Sequence, residues 1–263
     1  MLMKNNHPFH MVDYSPWPFY LSIFIFLMMT GIIEFLFNKQ IMILMVGFMG
    51  MLMILMQWWR DVSRESKIQG LHSKLIIKGM KMGMIMFIIS EILFFMSFFW
   101  SFFHFSLVPN IELGSSWPPF NIKIFNFIEM PLLNTLILVS SGLTLTWSHK
   151  SLISNNYLMM MNSLMLTIML GLYFTLLQVI EYKESSYSMF DSSFGSSFFM
   201  ATGFHGIHVM MGSVFLLIML FRMMKNSFSF YHHFGFEAAS WYWHFVDVVW
   251  LFLYLVIYWW NSI

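Results

Sequence analysis

Seven apolar runs divide the chain: Trp17 to Phe37, Ile41 to Trp59, Leu75 to Leu107, Ile128 to Ser148, Tyr157 to Ile180, Phe194 to Met224 and Phe236 to Trp260. Each is about the 20 residues that a helix needs to cross a bilayer, or longer. The joints between them are short and often proline-bearing, with Pro16 and Pro18 before the first run and Pro109, Pro118 and Pro119 between the third and fourth. Trp259 and Trp260 close the last run as interfacial anchors. The pattern predicts an all-α, polytopic membrane protein of seven transmembrane helices, without a soluble domain. The third and sixth runs exceed a perpendicular span, so those helices should tilt or project beyond the hydrocarbon.

Charge sorts with these spans. An odd number of crossings puts the termini on opposite sides. Lys4, Arg60, Arg64, Lys67, Lys74, Lys78, Lys81, Lys150, Arg222 and Lys225 then share the N-terminal side, and only Lys39, Lys123 and Lys183 lie on the other. By the positive-inside rule the N-terminus faces the matrix or cytoplasm. The acids Glu34, Glu112, Glu129, Glu181, Glu184 and Asp191 show the reverse bias.

Composition narrows the chemistry. With 59% hydrophobic and 10% charged residues the chain is too apolar for a soluble domain, and the absence of cysteine excludes disulfides, iron–sulfur clusters and thiolate metal sites. No internal repeat, Gly-rich phosphate loop, nucleophile elbow or nucleic-acid motif is present. The first 20 residues lack the pattern of a transit peptide and the cleavage region of a signal peptide, so no import or secretion signal is expected. The 29 Met and 32 Phe, set against three alanines and three arginines, point to an AT-rich organellar gene.

Four features carry candidate chemistry. The last run places Glu237, Trp241, His244 and Asp247 on one helix face at steps of four, three and three residues. A charge facing lipid costs about 2.5–3.5 kcal/mol, so this stripe must face protein. It is either interhelical hydrogen-bonded packing or a proton-relay or ligand set. Glu91 sits near the middle of the third run, FIISEILFFMSFFW, either as a proton-relay site or as a neutral acid bonded to a neighbouring helix. His205 and His208, in GFHGIHVMMG, suggest a haem or copper ligand pair or, given the glycines around them, close helix packing. The stretch QWWRDVSRESKIQGLHSK, from Gln57 to Lys74, sets arginines beside interfacial tryptophans, as does the basic end of the sixth run at Arg222 and Lys225. Such groups suit anionic lipid phosphates; the alternative is simple topology anchoring.

The segments HMVDYSPWP, QWWRDVSRES, FIISEILFFMSFFW, ELGSSWPP, PLLNTLILVSSG, GLYFTLLQVIEY, FMATGFHGIHVMMGS and HHFGFEAASWYWHFVDVVWLFLYLVIYWW span almost the whole chain, and together they resemble mitochondrial cytochrome c oxidase subunit III. Departures are local: Ser148-His149-Lys150 replaces a more usual Ala-His-His, and Leu71-His72-Ser73 and Lys183-Glu184-Ser185-Ser186 differ from the common pattern.

The resemblance implies seven helices in two bundles, helices one and two (residues 1–73) and helices three to seven (residues 74–263), around a V-shaped cleft holding phospholipid. It implies a chain with no catalytic residue, metal or redox centre of its own, haem and copper belonging to partner subunits I and II. Accessory subunits and structural phospholipids are further implied partners; nucleic acid is not. Glu91 matches the family's carbodiimide-reactive carboxyl group, and Trp59, Arg64, His72, Phe87, Arg222 and Lys225 match positions around the cleft lipids. The location implied is the mitochondrial inner membrane, N-terminus in the matrix and C-terminus in the intermembrane space. The roles implied are stabilising the catalytic subunit, retaining lipid and assisting proton uptake. On this reading the C-terminal stripe becomes structural packing. The competing class is a stand-alone haem-binding electron carrier or a proton-coupled transporter, although no interrupted pair of helices favours the latter.

Overall fold

The computed structural model describes residues 9–111, 114–120, 122–225, 227–228 and 232–262. Lys4, Glu112 and Leu113, named above, lie outside the described residues. Helices follow all seven apolar runs: α1 (Trp17–Asn38), α2 (Met42–Lys67), α3 (Lys74–Leu107), α4 (Met130–Ile153), α5 (Tyr157–Glu184), α6 (Ser193–Met224) and α7 (Phe234–Leu253). All seven are long and apolar enough to cross a membrane, the last together with the π-helical turn Tyr254–Trp259 that continues it.

Helix ends depart from the apolar runs where polar groups solve the end problem. α2 runs past Trp59 to Lys67, and Arg64 and Lys67 in its last turn suit the negative end of the helix dipole. α4 starts at Met130 because Pro131 is tolerated only in a first turn. Just before it, the Asn126 amide donates to Glu129 Oε1 at 2.9 Å. Asn156 caps α5 by accepting from the Met159 N–H, and Ser192 caps α6 by accepting from the Gly195 N–H.

The chain divides into two compact units, Met1–Met80 and Lys81–Ile263, so the first turns of α3 group with α1 and α2. In the first unit α1 and α2 form an antiparallel hairpin, with Lys39 in the left-handed conformation at the corner (φ 59°). Their backbones touch at two glycines. A Cβ on Gly31 would stand 2.5 Å from the Leu44 nitrogen, and one on Gly47 would stand 2.6 Å from that of Met28. This is the close approach that small residues permit between membrane helices. Near the polar end, Trp17 Nε1 donates to Asp61 Oδ2 at 2.8 Å, and His10 Nε2 lies 3.1 Å from the buried Glu65 Oε2.

The second unit is a four-helix core, α4 beside α5 and α7, and α6 beside α5 and α7, with the rest of α3 joined to it by side chains. At its centre the indole of Trp243, wholly buried, is wedged against Gly171 of α5 and Gly212 of α6 and donates from Nε1 to Ser141 Oγ of α4 at 2.9 Å. One α7 side chain thus touches three helices. Hydroxyls bridge elsewhere: Tyr182 donates to Thr202 Oγ1 at 2.8 Å, Ser148 donates to the Met160 carbonyl at 3.1 Å, and Thr144 and Thr167 Oγ1 stand 2.9 Å apart. In the α3–α4 loop, Trp117 Nε1 donates to Asn261 Oδ1 at 2.8 Å, and its ring packs on Phe102 and Phe194.

Candidate functional site

The centre of α3 carries the least lipid-tolerant residue of the chain, and α6 answers it. His208 Nδ1 donates to the Phe204 carbonyl in its own helix at 2.7 Å, which leaves Nε2 facing Glu91 Oε2 at 3.0 Å. With Nδ1–H committed to that carbonyl, a single proton serves the contact. Either Glu91 keeps it and donates to a neutral imidazole, or His208 holds it as an imidazolium paired with a carboxylate. Both forms have zero net charge, the condition for leaving such groups at this depth. Phe95 packs edge-on against the His208 ring at 5.0 Å, and Tyr242 stacks on it at 6.3 Å. Among the described residues no third titratable side chain hydrogen-bonds this pair. It can hold and exchange one proton, but it is not a wire.

His205 and His208 are neighbours on α6 that serve different partners. His205 is buried, donates from Nε2 to the Val246 carbonyl of α7 at 3.2 Å, and lies against Phe174 and Trp250. One ring binds α7 and the other α3, so the two do not converge on a common ligand position. The spacing that suggested a haem or copper pair instead supplies helix-to-helix contacts on two sides of α6.

The C-terminal stripe splits in the same way. Glu237 Oε2 lies 2.5 Å from Lys81 Nζ of α3, and its Oε1 lies 3.3 Å from His233 Nε2. Trp241 faces Ile85, Ile88 and Ile89 of α3 across a small apolar pocket. Asp247 is buried, with Oδ2 3.0 Å from the place a Cβ would take on Gly142 of α4, and His244 Nδ1 stands 4.0 Å from the same oxygen. Asp247 Oδ1 is buried without a hydrogen-bond partner. The stripe therefore faces protein, the α3 side at its start and α4 at its end, but only Glu237 makes a polar contact across helices. Glu181, counted above among far-side acids, is fully buried within the last turns of α5.

The candidate lipid residues divide between the two units. In the first, Arg64 Nη1 lies 3.8 Å from Asp61 Oδ1 with its side chain 59% exposed, Trp59 is exposed, and the His72 ring meets His10 edge-on at 4.9 Å. In the second, Phe87 is half exposed and stacks on Tyr242. Lys225 caps the exposed end of α6. Arg222 differs from the other basic groups. Its guanidinium sits 4.8 Å over the Phe228 ring and beside Gly235, its Nε is buried without a partner, and no carboxylate pairs with it among the described residues.

The sequence offers Glu91 a neighbouring helix without naming the partner, and pairs His208 with His205 as ligands or packing groups. The missed signal was depth: both lie near the midpoints of long spans, where two polar groups have little choice but each other.

The family profile of cytochrome c oxidase subunit III matches residues 7–262. The chain is 56% identical over 259 residues to cytochrome c oxidase subunit 3 of Locusta migratoria, covering 98% of each chain. It is 55% identical over 262 residues to that of Drosophila melanogaster, covering 100% of each. To that of the quail Coturnix japonica it is 54% identical over 256 residues, covering 97% of this chain and 98% of the relative. Similarity at this level, over essentially the full length of each relative and with seven membrane-length helices, leaves one assignment: the chain belongs to the cytochrome c oxidase subunit III family.

Proposed function

We propose that this chain serves cytochrome c oxidase as a core subunit without a redox centre of its own, packing beside subunits I and II in the mitochondrial inner membrane, with its N-terminus in the matrix. Its work on this reading is to hold phospholipid, to stabilise the catalytic subunit during turnover and to support proton uptake. The observation that carries the lipid role is Arg222. A guanidinium at a helix end, laid over an aromatic ring and with no carboxylate paired to it among the described residues, suits a phosphate oxygen as its anion. Trp59, Arg64, His72 and Lys225 extend the same chemistry, aromatic or basic groups at or near helix ends where headgroups lie, and Phe87, deeper in α3, would meet the acyl chains.

Arg222→Gln tests this in the assembled complex. The expected result is loss of tightly held phospholipid, counted by mass spectrometry, and a shorter working life under turnover, with the haem absorption spectrum intact. Unchanged lipid count and lifetime would refute the lipid role. For the Glu91–His208 pair, Glu91→Gln removes the exchangeable charge but keeps a hydrogen bond, so most electron transfer should survive. A collapse of oxidase turnover in a fully assembled Glu91→Gln complex would instead make the pair an essential proton station.

A further inference from the structure

At one end of the second unit, where α4 finishes and α7 starts, the fold gathers two imidazoles and a carboxylate. A ring nitrogen of His149, one of His233 and a carboxylate oxygen of Glu237 all lie within 4.8 Å of one another. His233 Nε2 and Glu237 Oε1 are 3.3 Å apart. That is about the spacing of two ligand atoms on one tetrahedral zinc ion with bonds near 2.0–2.2 Å. The His149 ring stands 5.7 Å from that of His233 and is backed by Phe236, also at 5.7 Å. His149 Nε2 is buried and has no hydrogen-bond partner, an unfavourable state for an imidazole nitrogen unless something else approaches it.

We propose that His149, His233 and Glu237 form a site for a divalent transition ion of the zinc type, and that Lys81 occupies its carboxylate when no metal is bound. Two imidazoles and one carboxylate make a three-ligand set with a fourth position left for water. A nitrogen-rich set favours zinc over magnesium or calcium, which take oxygen ligands. Lys81 Nζ neutralises Glu237 from the α3 side at 2.5 Å, and its side chain is 37% exposed, so it has room to move aside. An incoming dication repels the ammonium group. Metal and lysine therefore compete for one carboxylate, and binding would tie the end of α4 to the start of α7 while releasing α3 from Glu237.

The competition makes the site testable in the intact oxidase complex. Chelator-treated complex is dialysed against graded ZnCl2 and bound zinc is counted by mass spectrometry. His149→Gln and His233→Gln should each lose one zinc equivalent per complex or bind it about tenfold or more weakly. Lys81→Met should bind it several-fold more tightly than the unmodified protein. Unchanged zinc binding in both histidine variants overturns the site, and weaker binding in Lys81→Met overturns the competition. Should the variants fail to assemble, the unmodified complex decides through diethylpyrocarbonate labelling. Zinc, but not magnesium, should slow modification of His149 and His233 and leave the exposed His104 unaffected. Equal labelling with and without zinc overturns the proposal.

Discussion

The α1–α2 hairpin and the α4–α7 bundle are both built from helices apolar enough to cross a membrane, yet they cohere by different means. In the most apolar windows of α1 and α2 only 6% and 11% of residues are buried, against 39–56% in α4 to α7. The hairpin holds by backbone approach at Gly31 and Gly47 and by a polar clasp, Trp17 to Asp61, near one end. The bundle holds by interdigitated side chains, with Trp243 wedged between two glycines and hydroxyls bridging helix to helix. Hydrophobicity is nearly irrelevant to either, because lipid tails are as apolar as leucine; packing shape and hydrogen bonds decide. A hairpin that buries so little of itself leaves most of its apolar side chains uncovered by the rest of the chain. A bundle whose helices bury each other still presents polar groups at its flank, where His208 of α6 meets Glu91 of α3.

The contrast can be broken from either side. The largest effect belongs to the bundle: Trp243→Ala opens a cavity between three helices and removes the donor to Ser141 Oγ, which keeps only its bond to the Leu138 carbonyl. It should cost about 3–5 kcal/mol, read as loss of assembly or a markedly lower melting temperature of the purified complex. A near-normal melting temperature would show that the wedge is not what joins the helices. Next come the hairpin glycines. Gly47→Val pushes a branched side chain into the Met28 backbone and should destabilise by about 1–3 kcal/mol, seen as faster proteolysis of the α1–α2 segment. The same substitution at Gly79, where a Cβ would meet nothing within 4 Å, is the control and should be near neutral. If the two behave alike, backbone contact is not the hairpin's source of cohesion. Trp17→Phe removes the indole donor from Asp61 and keeps the ring, an expected loss of about 1 kcal/mol that should loosen the hairpin's polar end in hydrogen exchange. Smallest is Thr144→Val, which deletes the contact with Thr167 at about 0.6 kcal/mol. A loss several times larger would mean that the bundle depends on its hydroxyl bridges as much as on Trp243.

Legibility from sequence followed the same division. The seven spans were readable because length and apolarity are local properties, and the ends shifted by local rules, at Pro131 for the start of α4 and along the polar tails that carry α2 to Lys67, α4 to Ile153 and α5 to Glu184. That Glu91, Glu237 and Asp247 must turn away from lipid was also readable. Which groups meet them was not. His208 is 117 residues from Glu91, and the lysine that meets Glu237 came into the charge count only as a marker of orientation. The glycines of α1 and α2 gave no sign that they mark a helix crossing, because a glycine in a membrane helix signals a close approach only once its partner is known.

The sequence by itself determined that the chain crosses a membrane seven times, that it has no thiol chemistry, and, through long motifs in order, the family to which it belongs. The cost of placing polar groups in lipid made that reading firm, since only a few arrangements of such residues survive in a bilayer. The tertiary structure alone decided the pairings: Glu91 with His208, His205 with the α7 backbone, and Glu237 between Lys81 and two histidines. Burial can be inferred one residue at a time, but a hydrogen bond or ligand set requires two helices at a particular distance and rotation, and the packing of the whole bundle fixes that.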